Sequence, residues 1–225
     1  MSRENLMLHI HQIQDEMLVM GSLVEQATMQ SIESLKKRDK KLAVEVYNAD
    51  RKINEKRYAI ENSVLILIAT QQPLAHDLRL LAALLEVSAE IERMGDYAKG
   101  IAKVVVNLGD VDIPIPIKEI EQMANMALNM LHRALGAFII EDAVTAKSIP
   151  PEDDKVDEIY NKVQRQIVNL MIEKPQIIDH ANLLMWVAHN LERMADRVSN
   201  ICERTIFVTT GELLEIESKK KEIKL

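Results

Sequence analysis

The 225-residue chain predicts an all-α fold of two tandem three-helix bundles, six long helices in all, on three observations. First, a segment recurs: Glu92-Arg93-Met94-Gly95-Asp96 returns as Glu192-Arg193-Met194-Ala195-Asp196. Its surroundings return with it, since Asp50-Arg51-Lys52-Ile53-Asn54-Glu55 answers to Asp153-Asp154-Lys155-Val156-Asp157-Glu158, Pro73 to Pro175, Leu84 to Leu184 and Ile101 to Ile201. The offset drifts only from 103 at Asp50 to 100 at Glu92, and self-similarity at a fixed period is the signature of a repeat architecture. Second, 48 % of residues are apolar but only 3 % aromatic, with six Gly and six Pro; turns are few and elements long. Third, the apolar residues step by three or four along six stretches, as one face of a helix requires.

The first stretch runs Leu6, Ile10, Ile13, Met17, Met20, Val24, Ala27 and Ser31, continuing to Leu35. The charged run Lys36-Lys37-Arg38-Asp39-Lys40-Lys41 interrupts it. A second helix carries Leu42, Val46, Ala49, Ile53, Ile60, Val64 and Leu67, and Gln71-Gln72-Pro73 ends it, because proline has no N–H and restricts its predecessor. The third carries Leu78, Leu81, Leu84, Val87, Ile91, Met94, Ala98, Ile101 and Val105. Leu108-Gly109-Asp110, followed by Pro114 and Pro116, reads as the linker. The second unit repeats the plan, with helices expected over residues 117–140 and 143–172 and a third carrying Leu184 to Thr205. Pro150-Pro151 is where the fifth helix would bend, and Pro175 closes it. The domains are therefore residues 1–108, a linker at 109–116, residues 117–215 and a C-terminal tail at 216–225, expected to fray from Lys219. Helices of about 30 residues are about 45 Å long, and three joined by short turns bury their apolar stripes as an up-down-up bundle.

Composition excludes several functions. A formal charge of −7 repels nucleic-acid phosphates and suits cations. Cys202 is the single cysteine, so there is no disulfide framework. The sequence Met1-Ser2-Arg3-Glu4-Asn5 lacks a signal-peptide layout, and the apolar run Val64 to Ala69 is far short of a membrane span. The expectation is a cytoplasmic protein, peripheral to a membrane at most. Low aromatic content and exposed helical faces are compatible with a homodimer.

The candidate chemistry lies in acidic pairs one helical turn apart. Glu192 and Asp196 flank the stripe of Leu191 and Met194, and Glu92 and Asp96 flank Ile91 and Met94. Asp50 and Asn54 flank Ile53, and Asp153 and Asp157 flank Val156. Like charges at i, i+4 destabilise an exposed helix by roughly 0.2–0.5 kcal/mol. Where two such helices meet, each pair of carboxylates about 4 Å apart repels by roughly 1 kcal/mol in water and about 4 at an effective dielectric of 20. Arg93 and Arg193, protons, or a bound cation must offset that repulsion, and oxygen-rich sites suit Mg, Ca, Mn or iron. A single acidic pair is usually a solvated face; the duplication argues for more, although ancestry alone also copies neutral features. The arginines in turn read most simply as ion pairs to a neighbouring helix. His189 has Ala89 at the matching position and reads as a surface or core histidine rather than a ligand. His9, His11, His76, His132 and His180 show no ligand spacing.

Glu-Arg-Met-x-Asp near the end of each unit, preceded by Asp-x-x-Ile/Val-Asn/Asp-Glu, resembles the PhoU family. Gln71-Gln72-Pro73-Leu74-Ala75-His76-Asp77-Leu78-Arg79 and Met17-x-x-Met20-Gly21 carry the same resemblance. It implies double three-helix bundles whose acidic motifs bind metal, in some members as multinuclear iron clusters; Mn, Zn, Ni, Mg and Ca are the other candidates. It also implies a non-enzymatic negative regulator of phosphate uptake and of the phosphate-starvation response, with a phosphate-specific ABC transporter and a membrane histidine kinase as partners. By the same resemblance, Asp50, Asn54, Glu92 and Asp96 form one metal site and Asp153, Asp157, Glu192 and Asp196 the other. Two departures stand out: Asn54 replaces an acid, and Asp77-Leu78-Arg79 has Asp179-His180-Ala181 near its place in the second unit. The alternative is a carboxylate-rich iron-storage or oxidase-type bundle, but such sites use Glu-x-x-His on two helices and the chain contains none. No Gly-rich phosphate loop or G-x-S-x-G is present either.

Overall fold

The structure, a computed structural model, describes residues 3–109 and 111–216. The helices are α1 (Arg3–Lys37), α2 (Lys40–Gln71), α3 (Ala75–Leu108), α4 (Ile117–Ile139), α5 (Ala143–Ser148), α6 (Asp153–Glu173) and α7 (Ile178–Thr210), and no strand occurs among the described residues. The six long helices and the two bundles stand as the sequence predicts. The tail from residue 217 onward lies outside the described residues. The fifth helix differs from expectation: the stretch 143–172 is not continuous but divides into α5, a 3-10 turn at Pro150–Glu152, and α6. Two successive prolines remove two donors and crowd the preceding turn, so the axis breaks there, and Asp153 becomes the first residue of a new helix.

The first connection of each unit is built the same way. After α1, Arg38 takes a left-handed conformation (φ 55°), the Arg38 N–H donates to Leu35 O and the Asp39 N–H to Ser34 O at 2.9 Å. This is a Schellman closure with arginine where glycine is usual. Asp39 then caps α2, accepting from the Lys41 and Leu42 N–H groups. After α4, Glu141 (φ 56°) and Asp142 repeat the arrangement, with the Asp142 N–H donating to Ala137 O at 2.8 Å and the Asp142 carboxylate capping Val144 and Thr145. Arg38 also ties down the linker, donating to Val111 O and to Ile113 O at 2.8 Å.

Helices α1–α3 form one bundle and α4–α7 the other, and the contact between α3 and α7 is the most extensive in the molecule. Both helices are buried on more than one face: α3 hides Leu80, Leu84, Val87, Ile91 and Ala98, and also Ala83, Ala102 and Val104. The buried side chains form one continuous core across both bundles.

Gly95 marks the close approach of α2 to α3. A β-carbon there would lie 2.9 Å from Ile53 Cδ1 and 3.3 Å from Ile53 Cγ2. The second unit solves the same contact with Ala195 and the shorter Val156. Gly95→Ala alone therefore overpacks the seam against the gain in helix propensity, of about 1 kcal/mol. In the Ile53→Val background the clash is relieved. Chemical denaturation of the four proteins of this double-mutant cycle is expected to show favourable coupling of about 1 kcal/mol.

Candidate metal centres at the bundle seams

The second seam joins α6 to α7. Asp153 is almost wholly buried, at 5 % exposure, and its Oδ1 has no hydrogen-bond partner. Burial, then the charges of Asp196, Asp157, Glu192 and Asp154, push its carboxyl up to about 7. Every one of those neighbours is acidic, so the four predicted residues act on one another across a single seam, and among the described residues no cation offsets Asp153. Tyr160, one turn beyond Asp157, is raised by burial and then by Glu192. His189 Nδ1 stands 3.5 Å from Glu192 Oε2 and its ring packs edge-on to Trp186 at 5.8 Å. His189 is thus beside this seam, half-exposed, in a position for which its sequence gives no repeat signal.

The first seam joins α2 to α3. Asp50 is equally buried, at 4 %, but one of its oxygens is occupied: Lys99 Nζ donates to Asp50 Oδ2 at 2.7 Å and Asn54 Nδ2 donates to the same oxygen at 2.9 Å. Lys99 is also 3.8 Å from Asp96 Oδ1 and lies over the Tyr47 ring at 5.3 Å. Burial and then Asp50 raise the Asp96 carboxyl, with Lys99 opposing. Burial and then Asp96 raise Glu92, with Arg57 opposing. The predicted quartet again shares one seam, and Asn54 serves there as a hydrogen-bond donor to Asp50.

Among the described residues no three His, Cys, Asp or Glu side chains stand in ready coordination geometry. Like charges without a counter-ion splay apart, because their repulsion rises steeply as they close. The donor set of the second seam fits a hard cation all the same: four carboxylates, one of them buried with an orphaned oxygen, are the ligands such ions take. The first seam fits one poorly, since an ammonium is already bound there.

The motif arginines act differently in the two units. Arg93 is exposed and meets only Glu90 on its own helix, at 3.5 Å. Arg193 is 3.6 Å from Asp196, and the Tyr97 side chain of α3 is the largest influence that raises its guanidinium. Near it, Arg197 pairs with Glu90 at 3.4 Å, Asn200 donates to the same carboxylate at 3.1 Å, and Arg204 pairs with Glu86 at 2.9 Å. Lys99 and Arg57 are cations of the first seam that sequence reasoning passed over. The signal was present: the repeat offsets set Lys99 against Ser199 and Arg57 against Tyr160. Cys202 is buried, and burial pushes its thiol up to about 12, which makes it inert.

An all-helical double bundle with paired carboxylates along each seam, and no helix long and apolar enough to cross a membrane among the described residues, defines a class of tandem helical-bundle proteins. The PhoU domain matches residues 17–105 and again 120–205, and the chain belongs to the PhoU family. It is 33 % identical to the phosphate-specific transport system accessory protein PhoU homolog of Streptococcus pneumoniae, over 95 % of this chain and 99 % of that one. The Escherichia coli phosphate-specific transport system accessory protein PhoU is 31 % identical over 90 % of this chain and 84 % of its own. Among solved structures, the phosphate transport system regulatory protein PhoU from Streptococcus pneumoniae superposes with a TM-score of 0.87 at 32 % identity, covering 94 % of this chain and all of that one. PhoU from Pseudomonas aeruginosa gives 0.85 at 30 % identity, covering 91 % and 99 %.

Proposed function

We propose that the chain is a non-enzymatic accessory protein of phosphate-specific transport, a negative regulator of phosphate uptake and of phosphate-starvation signalling. The observation that carries this reading is full-length similarity to proteins named as accessories of that system. It works in the cytoplasm by docking to the transporter's ATPase side and to a membrane histidine kinase. Its cofactor is a metal, with iron in clusters first and Mn, Zn, Ni, Mg or Ca as alternatives, held by seam carboxylates. The residues that hold it are Asp153, Asp157, Glu192 and Asp196, whose donor set supports the assignment. Bound there, the cation supplies positive charge opposite Asp153 and keeps α6 and α7 at a fixed separation, steadying the helical surface offered to a partner. Homodimerisation through exposed helical faces belongs to the same reading.

The test is phosphate uptake in cells grown at high phosphate, with the gene deleted and then restored. Deletion is expected to raise uptake severalfold, the wild-type chain to repress it, and Asp153→Ala with Asp196→Ala to restore repression only in part. Purified chain should pull down the transporter ATPase and consume no oxygen with ferrous iron. Unchanged uptake on deletion would refute the regulatory role.

A further inference from the structure

We propose that Lys99 is the resident cation of the first seam, so that the chain binds metal in its second half only. This rests on the metal reading given above and narrows it to one site. The two seams descend from one pattern, and three of their differences lower the negative charge of the first, although the second in turn gains His189, 3.5 Å from Glu192, where the first has Ala89. Where the second seam has Asp157, Tyr160 and Ser199, the first has Asn54, Arg57 and Lys99. One exchange removes a carboxylate and two introduce cations. Each falls within the electrostatic reach of the acids: Asn54 and Lys99 both donate to Asp50, and Arg57 acts on Glu92.

The placement of the ammonium is what makes this a substitution for metal rather than a surface ion pair. Lys99 leaves α3 one turn after Asp96, crosses the face of Tyr47 and ends 2.7 Å from Asp50 and 3.8 Å from Asp96. A metal bridging α2 to α3 through those two carboxylates would have to stand in that same space. It would need to expel a tethered cation from a carboxylate that is 4 % exposed, and would find an amide where the second seam supplies an acid. A tethered ammonium needs no uptake from solution and cannot be chelated away. Each seam keeps one buried carboxylate oxygen without a partner, Asp50 Oδ1 and Asp153 Oδ1. The difference is that Lys99 donates to the other oxygen of Asp50, so the first seam is closed by its own ammonium and the second is the one that takes a cation.

Titration calorimetry with Mn²⁺, and elemental analysis after anaerobic loading with Fe²⁺, test this on the full chain. Asp153→Asn with Asp196→Asn is expected to abolish uptake at every equivalent the wild type takes. Asn54→Asp with Arg57→Tyr and Lys99→Ser, which copies the second seam into the first at all three positions, is expected to double the stoichiometry with Mn²⁺. Retention of about half the metal in the first variant would overturn the proposal. So would an unchanged stoichiometry in the second, its fold checked by circular dichroism. Trp186, the single tryptophan, packs on His189 beside Glu192 and gives an internal control that needs no mutation. Its fluorescence change should saturate at the same equivalents as the heat, whereas heat continuing after the fluorescence is complete would reveal a second occupied seam. Failure of the metal reading itself looks different: no heat, no metal and no fluorescence change in the wild type or either variant.

Discussion

Asp153→Asn is expected to make the metal-free protein more stable at pH 8, by about 3 kcal/mol, while removing most of its pH dependence between 4 and 7. The cause is proton linkage. Folding raises the Asp153 carboxyl from 3.8 to about 7, so the folded state holds a proton that the unfolded state releases. The stability contributed by that proton is complete below about pH 4 and is lost as pH rises through 7. Between those two limits the loss is about 1.4 kcal/mol for each pH step of one, which sets a ceiling of about 4 kcal/mol, lowered where water reaches the outer side of the cluster. Asparagine keeps the shape and turns an amide toward acidic neighbours, replacing a repulsion with a donor. Urea midpoints at pH 4.5 and 8 in the presence of a chelator would check it. A variant less stable than wild type at pH 8 would mean that Asp153 is a structural anchor.

The second large effect is the response to metal. A ligand that binds only the folded state stabilises it by about 4 kcal/mol at a thousand times its dissociation constant. For a chain of this size each kcal/mol moves the melting temperature by about 2–4 °C. Saturating Mn²⁺ is therefore expected to raise the melting temperature of the wild type by about 10 °C at pH 8. The sign of the pH dependence should also reverse, since protons compete with the cation for Asp153 and its neighbours. At pH 5 the same addition should do little. Asp153→Asn should melt at the same temperature with and without Mn²⁺ in calorimetry at both pH values. An equal upward shift in the variant would place the ion elsewhere.

The fold was legible because long helices announce themselves. The apolar stripes through Met17, Ile53, Leu84 and Met194 carry the 3.6 period without interruption, and the repeat supplied the second bundle from the first. The break at Pro150-Pro151 was half legible. Proline marks where a helix must fail, but whether the axis bends or restarts depends on what Ile149 and Pro150 pack against, and both are buried. The acidic quartets were legible as pairs on helices, and their convergence is a matter of which faces α2 and α6 turn to α3 and α7. Asn54 already marked the two seams as unequal; what stayed hidden was the cation in the first. A lysine one turn from an aspartate looks like any helix-surface pair, and only the distance from Nζ across to Asp50 on another helix separates the two cases. The left-handed closures at Arg38 and Glu141 escaped too, because left-handed residues other than glycine carry little sequence signal.

The doubly buried faces of α3 and α7 have an evolutionary consequence. A single bundle standing alone would leave the outer side of α3 wet. In this chain that side carries Ala83, Ala102 and Val104, and Glu90 of the first copy is shared by Arg197 and Asn200 of the second. Each half has become the fourth wall of its sibling. The duplication has passed the point of return: cut at the linker, neither half would find its old surface, and the two would be expected to seek each other or precipitate.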